Sequence, residues 1–139
     1  MRFWDSSAII PLLLVEERSA DARALLRADD IIVAAAITPV EIVAALWRRR
    51  HRNLLDAEAH TRADDRFAAI SAEWIEVEDL RAVVSAACDV LSRHELRAAD
   101  ATQLGAAITA ARGLPALDFV TFDVKLAAAA RAEGFYVLT

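Results

Sequence analysis

Short apolar runs alternate along this chain with longer segments in which apolar residues recur at helical spacing. The short runs have the length and the β-branched or aromatic content of strands, and they lie at 3–4, 31–35, 74–77, 117–122 and 135–138. The longer segments predict helices at 8–15, 20–28, 39–50, 56–72, 79–93, 98–112 and 123–133. Strands that alternate with helices pair in parallel through right-handed crossovers. The pattern therefore predicts an α/β fold built on a parallel sheet.

Residues at several helix ends support these boundaries. The segment from Thr38 to Glu41 combines a capping hydroxyl, a proline and, three residues after the cap, a glutamate. This combination is typical of a capping box at a helix start. Pro11 is expected in the first turn of the first helix, where its missing N–H does no harm. Gly134 is expected to cap the last helix at its C-terminus.

The composition suits one compact domain that spans residues 1–139. Hydrophobic residues make up 57% of the chain, which holds only 3 Gly and 3 Pro, so we expect a well-filled core. The formal net charge of −5 does not indicate non-specific nucleic-acid binding. It does not exclude a nuclease either, because acids gathered around a metal ion lose their excess charge when the ion binds.

The environment of the protein can also be predicted from a few features of the sequence. The single cysteine, Cys88, cannot form an internal disulfide, and its apolar surroundings predict a small buried residue in a reducing compartment. We expect no secretory signal, because Asp5 interrupts any apolar run from Met1. The apolar run 8–15 is too short to span a bilayer. We therefore expect a soluble, cytoplasmic protein that does not bind membranes.

Four acidic residues lie beside transitions between strands and helices: Asp5, Glu41, Asp100 and Asp123. In a parallel sheet all strand-to-helix transitions lie at one edge, where open α/β sheets bind ligands. This rule brings together Asp5, Glu41 and Asp123. It does not place Asp100, which begins a helix that precedes a strand.

Helix capping is the alternative explanation for each of these acids. Asp is a favoured N-cap residue, Glu41 completes the capping box with Thr38, and Asp100 could form another box with Gln103. Taken as a set, however, several acids at one sheet edge repel one another unless a cation offsets them. The set therefore favours a site for a divalent metal.

Four segments of the chain resemble the motif blocks of PIN-domain nucleases, most closely the VapC-type toxins of bacterial toxin–antitoxin pairs. They are Asp5-Ser-Ser, Thr38-x-x-Glu41, Leu96-Arg-Ala-Ala-Asp-Ala-Thr-Gln-Leu104 and Val120-Thr-Phe-Asp-Val-Lys-Leu126. The resemblance covers nearly the whole chain, with the motifs in the right order. It implies a five-stranded parallel sheet with helices on both faces, and Mg²⁺- or Mn²⁺-dependent endoribonuclease activity.

Carried over by position, the resemblance implies that Asp5, Glu41, Asp100 and Asp123 are the catalytic acids. Ser7 matches a small polar position after the first acid, and Thr121 matches a hydroxyl near the site. The interval from Asp100 to Asp123 is longer than is usual in the family, so Asp118 competes for the fourth role. We prefer Asp123 because it lies in a Thr-x-Asp sequence at the end of a strand, whereas Asp118 lies before the core of the strand and would face the opposite edge.

The expected chemistry uses these acids as oxygen ligands. Mg²⁺ usually keeps several waters and binds one or two carboxylates, for which we favour Asp5 and Asp100. Glu41 and Asp123 would then bind through water, hold a second metal ion or orient the attacking water. The basic cluster 48–52 could line a path for phosphates, or could interact with the dipole at the C-terminus of its helix.

The family also implies partners: an RNA substrate, a cognate antitoxin, a homodimer, and a heterotetramer or larger assembly with the antitoxin. The helices at 8–15 and 39–50 are apolar on nearly all faces, which indicates either deep burial or a surface that a partner covers. One alternative function is a non-catalytic acidic module that only binds a partner. Another is a haloacid-dehalogenase-like phosphatase with Asp5 as nucleophile, but that pattern requires an Asp where this chain has Ser7.

Overall fold

A computed structural model describes residues 1–114 and 116–139, so Pro115, in the connection before the fourth predicted strand, lies outside the described residues. Over the described part of the chain, five parallel strands form one sheet in the order β3-β2-β1-β4-β5. They are β1 (Arg2–Trp4), β2 (Ile32–Ala35), β3 (Ile75–Val77), β4 (Asp118–Val120) and β5 (Val137–Leu138). The predicted fold, a five-stranded parallel sheet, is therefore confirmed.

Strand β1 is the centre of the sheet and pairs in parallel with both β2 and β4. Its side chains alternate between the two faces, as the geometry of a strand requires. Phe3 stacks on Phe119 with ring centroids 5.2 Å apart, whereas Trp4 belongs to the core on the other face together with Val120. Asp5 follows directly, so the chain leaves the central strand at an acid.

Helices cover both faces of this sheet. Within the described residues they are α1 (Ser6–Leu13), α2 (Ser19–Ala28), α3 (Thr38–His51), α4 (Ala57–Ser71), α5 (Leu80–Arg93), α6 (Ala98–Ala111) and α7 (Val124–Ala132). Helices α1 to α4 share a core with Trp4, and α5 to α7 share a second core with Phe3. Of the described helices, none is long and apolar enough to cross a membrane.

Helices α5 and α6 pack so closely that their contact requires a glycine. A Cβ atom at Gly105 would lie 2.7 Å from the backbone nitrogen of Ala87 and 2.8 Å from the carbonyl oxygen of Val83. These are backbone atoms, which cannot move aside as the end of a side chain can. Gly105 therefore sets the distance between α5 and the helix that carries Asp100.

Three local predictions were wrong. Helix α1 begins at Ser6, because the Asp5 side chain accepts a hydrogen bond from the backbone N–H of Ser7, and Pro11 consequently lies inside the helix instead of in its first turn. Cys88 is exposed and not buried, because α5 turns its Val83 side toward the core. The capping box of α3 does not form, because Ile37 and not Thr38 takes the N-cap position.

Candidate metal and nuclease site

Asp5 lies at the carboxyl end of the central strand and is only 4% exposed. Its Oδ2 accepts a hydrogen bond from the backbone N–H of Ser7 at 3.1 Å, and its Oδ1 accepts one from the Ser7 hydroxyl at 2.8 Å. Burial raises the pKa of Asp5 from 3.8 to about 6, and the negative charge of Glu41 adds to this rise. The hydrogen bonds from Ser7 and Thr121 oppose it without cancelling it. The buried carboxylate is therefore paired with neutral donors.

The Ser7 hydroxyl joins the ends of β1 and β4. It accepts from the backbone N–H of Phe122 at 2.9 Å and lies 3.2 Å from the Thr121 hydroxyl. The Thr121 hydroxyl in turn accepts from the backbone N–H of Asp123 at 3.0 Å. These two hydroxyls fix the backbone before Asp123 relative to Asp5, which places both predicted supporting residues beside the acids.

Glu41 lies in the first turn of α3, but it does not cap that helix. Ile37 takes the N-cap position, and Thr38 is fully buried inside the first turn. The carboxylate of Glu41 accepts a hydrogen bond from the side-chain amide of Gln103, which lies on α6. Burial raises the pKa of Glu41, and the charge of Asp100 raises it further. The predicted capping box is thus replaced by a contact between two helices, and Glu41 faces the acids instead of its own backbone.

Asp100 lies in the first turn of α6, and Asp123 is the N-cap of α7. One Asp123 oxygen accepts a hydrogen bond from the backbone N–H of Leu126 at 2.8 Å, so Asp123 does cap α7, as the alternative explanation predicted. Both acids line a polar cavity of about 400 Å³ together with Arg97 and Lys125. Burial raises the pKa of Asp100, and the charge of Asp123 contributes to the rise. The edge rule left Asp100 unplaced, and the structure sets it beside Asp123.

The four acids therefore interact as a series, from Asp5 to Glu41, from Glu41 to Asp100 and from Asp100 to Asp123. They do not form a closed cage. Within residues 1–114 and 116–139, no three acidic, histidine or cysteine side chains are arranged to ligate one ion. The donors nevertheless suit Mg²⁺ or Mn²⁺, because they are hard carboxylate oxygens and because Mg²⁺ keeps several waters in such sites.

Asp118 lies at the opposite edge of the sheet. It begins β4, pairs in register with Arg2 at the start of β1, and its Oδ2 lies 3.9 Å from Nε of Arg2. Asp118 is the first residue of β4, whereas Asp123 follows the last residue of that strand. Geometry therefore leaves Asp123, and not Asp118, beside the other three acids.

The arginines of the basic cluster 48–52 contact different parts of the protein. Arg48 lines a cavity of about 380 Å³ together with Ser7 and Glu41. Arg49 instead donates to Glu16 at 2.6 Å, and Arg50 donates to the Leu55 carbonyl at 3.4 Å. Within the described cluster, Arg48 is the residue whose position suits a phosphate bound at the acidic edge.

Gln103 is a site residue whose position the sequence analysis did not predict. Its distance from Asp100 suggested a second capping box, but the side chain is 1% exposed and contacts Thr38 and Glu41 instead. A polar residue one turn after Asp100, followed directly by Leu104, was the available signal. The sequence contains no local feature that identifies its partners, which lie on another helix.

Neither a protein-family model nor a curated protein matches the sequence. The solved structures that are similar to this chain include FitAcB, PAE2754 and VapC20. FitAcB from Neisseria gonorrhoeae has a TM-score of 0.70 at 17% identity, over 100% of this chain and 97% of that chain. PAE2754 from Pyrobaculum aerophilum has a TM-score of 0.62 at 20% identity, over 92% of this chain and 78% of that chain.

The third similar structure is VapC20 from Mycobacterium tuberculosis, a toxin that cleaves the sarcin–ricin loop. It has a TM-score of 0.65 at 21% identity, over 97% of this chain and 96% of that chain. At these identities the likeness concerns the fold, and it extends over nearly the full length of each protein except PAE2754. The structural comparison and the four motif segments agree: this chain has the fold of the VapC-type PIN-domain toxins.

Proposed function

We propose that this protein is a divalent-metal-dependent endoribonuclease. The observation that carries the proposal is the buried Asp5 carboxylate at the end of the central strand, with its pKa raised to about 6 and with Glu41 as its charged neighbour. Acids held in this way favour a cation, because a bound cation removes both the desolvation penalty and the repulsion. RNA is supported as the substrate by the likeness to VapC20, a toxin that cleaves the sarcin–ricin loop.

Each acid has a proposed role. Asp5 and Asp100 would hold the metal ion, while Glu41 and Asp123 would bind through water, hold a second ion or orient the attacking water. When bound, a divalent cation supplies an acidified water and stabilises charge on the phosphate oxygens. Ser7 holds the Asp5 carboxylate in place through two hydrogen bonds. Arg48 is positioned to bind a neighbouring phosphate of the substrate.

The phosphatase alternative is disfavoured by the surroundings of Asp5. Ser7, where that mechanism requires a second aspartate, donates its hydroxyl to Asp5 and accepts from Phe122. The hydroxyl is therefore engaged in holding the site together and cannot serve as the required acid.

We further propose that the protein is the toxin of a toxin–antitoxin pair and forms a homodimer. Helix α1 buries most of its apolar side chains, so its composition is explained by the core. Helix α3 is different, because Val40 is 67% exposed and Trp47 is 48% exposed on the helix that carries Glu41. A partner that covers this surface would lie next to the site. Light scattering of the purified chain tests the dimer: a mass that stays near 15.2 kDa at high concentration contradicts it.

Cleavage of a panel of RNAs tests the nuclease function directly. The panel includes single-stranded and structured RNAs and a sarcin–ricin loop oligonucleotide, with Mg²⁺, Mn²⁺ or EDTA. Asp5→Asn is the test variant, and Asp118→Asn is the matched control because Asp118 lies at the opposite edge. We expect metal-dependent cutting that D5N abolishes and D118N retains. Absence of cutting by folded, partner-free protein would favour a non-catalytic binding module.

A further inference from the structure

Gln103 occupies an unusual position for a glutamine: the middle of the contact between α3 and α6. Its side chain is 1% exposed, and Thr38 beside it is fully buried. The amide nitrogen donates to the Thr38 hydroxyl at 3.0 Å and also donates to the carboxylate of Glu41. Both amide protons therefore have partners on α3, and one of those partners is a predicted catalytic acid.

The orientation of this amide is fixed by its two partners. A flipped amide would place its oxygen against the Glu41 carboxylate, and two acceptors facing each other repel. In the observed orientation the Thr38 hydroxyl can also donate to the amide oxygen at 3.4 Å. A neutral donor that has one possible orientation can hold a carboxylate in place without neutralising it.

Gln103 also couples Glu41 to another acid. It follows Asp100 by one helical turn on α6, so a shift of that helix moves both residues together. The contact spans 62 positions of the chain and joins α3 directly to α6. The Gln103 side chain thus links Glu41 to the helix that carries Asp100.

We propose that Gln103 is a positioning residue for the reaction: its buried amide, held by Thr38, fixes the Glu41 carboxylate relative to Asp100. This inference rests on the proposed nuclease function, since Glu41 must act in the reaction for its position to affect the rate. Gln103 does not reach the substrate itself. Groups that orient the residues of a metal site often affect activity 10- to 100-fold.

A double-mutant cycle on RNA cleavage separates positioning from general destabilisation. The four proteins are wild type, Gln103→Met, Glu41→Gln and the double variant. Methionine keeps the length of the side chain and removes the amide. We expect Q103M to lower kcat by about tenfold or more, and to cause no further loss when Glu41 is already replaced. Equal losses in both backgrounds would show that Gln103 acts elsewhere, and would overturn the proposal.

Two further variants provide controls. Leu104→Met changes a fully buried neighbour on the same helix while conserving volume, so it reports the effect of altered packing alone. Thr38→Val removes the hydroxyl but leaves the amide free to contact Glu41, so its loss of kcat should fall between those of L104M and Q103M. If L104M lowers kcat as much as Q103M, packing explains the effect and the proposal fails.

A spectroscopic measurement tests the contact independently of cleavage. The chain contains one glutamine and one asparagine, Gln103 and Asn53, so its ¹⁵N–¹H spectrum holds two side-chain amide pairs. We expect one Gln103 proton to lie downfield and to exchange slowly with water, because charge-assisted hydrogen bonds are the stronger ones. In E41Q this proton should move upfield, while the exposed Asn53 pair stays in place.

The two readouts distinguish failure of this inference from failure of the proposed function. If wild-type protein cuts no RNA but E41Q moves the Gln103 signal, the nuclease function is wrong and the fixing of Glu41 by Gln103 stands. If wild-type protein cuts RNA but the Gln103 signal is the same in E41Q, the inference is overturned and the nuclease remains.

Discussion

Asp5→Asn should make the metal-free protein more stable at pH 7 while removing its activity. The pKa of Asp5 is raised by burial from 3.8 to about 6. An acid whose pKa is higher in the folded state binds its proton more tightly when folded, so the free energy of unfolding falls as pH rises through this range. The penalty is absent well below pH 3.8 and complete above about pH 6. At pH 7 the wild-type protein therefore carries all of it.

The size of the effect follows from that pKa difference. A change from 3.8 to about 6 corresponds to about 3 kcal/mol, at about 1.4 kcal/mol per pKa unit. Asparagine can still accept one hydrogen bond from Ser7, but its amide nitrogen replaces the other carboxylate oxygen, at a cost of about 1 kcal/mol. The expected net gain is about 1 to 2 kcal/mol. For a chain of 139 residues this is a rise in Tm of about 3 to 6 °C.

Thermal unfolding followed by circular dichroism, in EDTA and at several pH values, measures this gain. The difference in Tm between D5N and wild type should be largest above pH 6 and should shrink as pH falls toward 4. Asp118→Asn, at the opposite sheet edge, should show no such pH-dependent gain. If D5N is less stable than wild type at pH 7, the surroundings of Asp5 stabilise its charge and the reasoning is refuted.

Three further predictions concern the metal, the substrate and the fold. Saturating Mn²⁺ should raise the Tm of wild type at pH 7 by several degrees and that of D5N by much less, and equal shifts in scanning calorimetry would place the ion elsewhere. Arg48→Ala should raise KM for RNA about fivefold with little change in kcat, and should make KM less dependent on salt concentration. Arg52→Ala is the control, and equal kinetics for the two variants would remove Arg48 from the substrate path. Gly105→Ala should lower the free energy of unfolding in urea by about 2 to 3 kcal/mol, because its Cβ would overlap the backbone of Ala87, and a variant as stable as wild type would contradict that account.

The architecture could be predicted from the sequence because its signals are local and repeated. Phe3 and Trp4 are adjacent apolar residues that face opposite sides of the sheet, which only a central strand covered on both faces accommodates. The strand-to-helix edge was predicted from the same alternation. It correctly placed Asp5, Glu41 and Asp123 on one side and Asp118 on the other.

The details of the site could not be predicted, because they depend on contacts between distant parts of the chain. Thr38 and Glu41 have the spacing of a capping box, and nothing nearby in sequence argues against one. Gln103, which lies 62 to 65 positions further along the chain, forms hydrogen bonds with both side chains instead. The position of Asp100 was likewise unspecified, since it depends on the packing of α6 and not on the end of a strand.

The hydrogen bonds that hold Asp5, Glu41 and Asp123 share one property that bears on metal binding. The Ser7 hydroxyl donates to Asp5, the backbone N–H of Leu126 donates to Asp123, and the Gln103 amide donates to Glu41. All of these donors are neutral hydroxyl and amide groups. A salt bridge at the same positions would fix the acids equally well, but its cation would have to be displaced before a metal ion could bind. Neutral donors leave the negative charge in place, so the energy that burial and repulsion cost the metal-free protein becomes available to a bound cation.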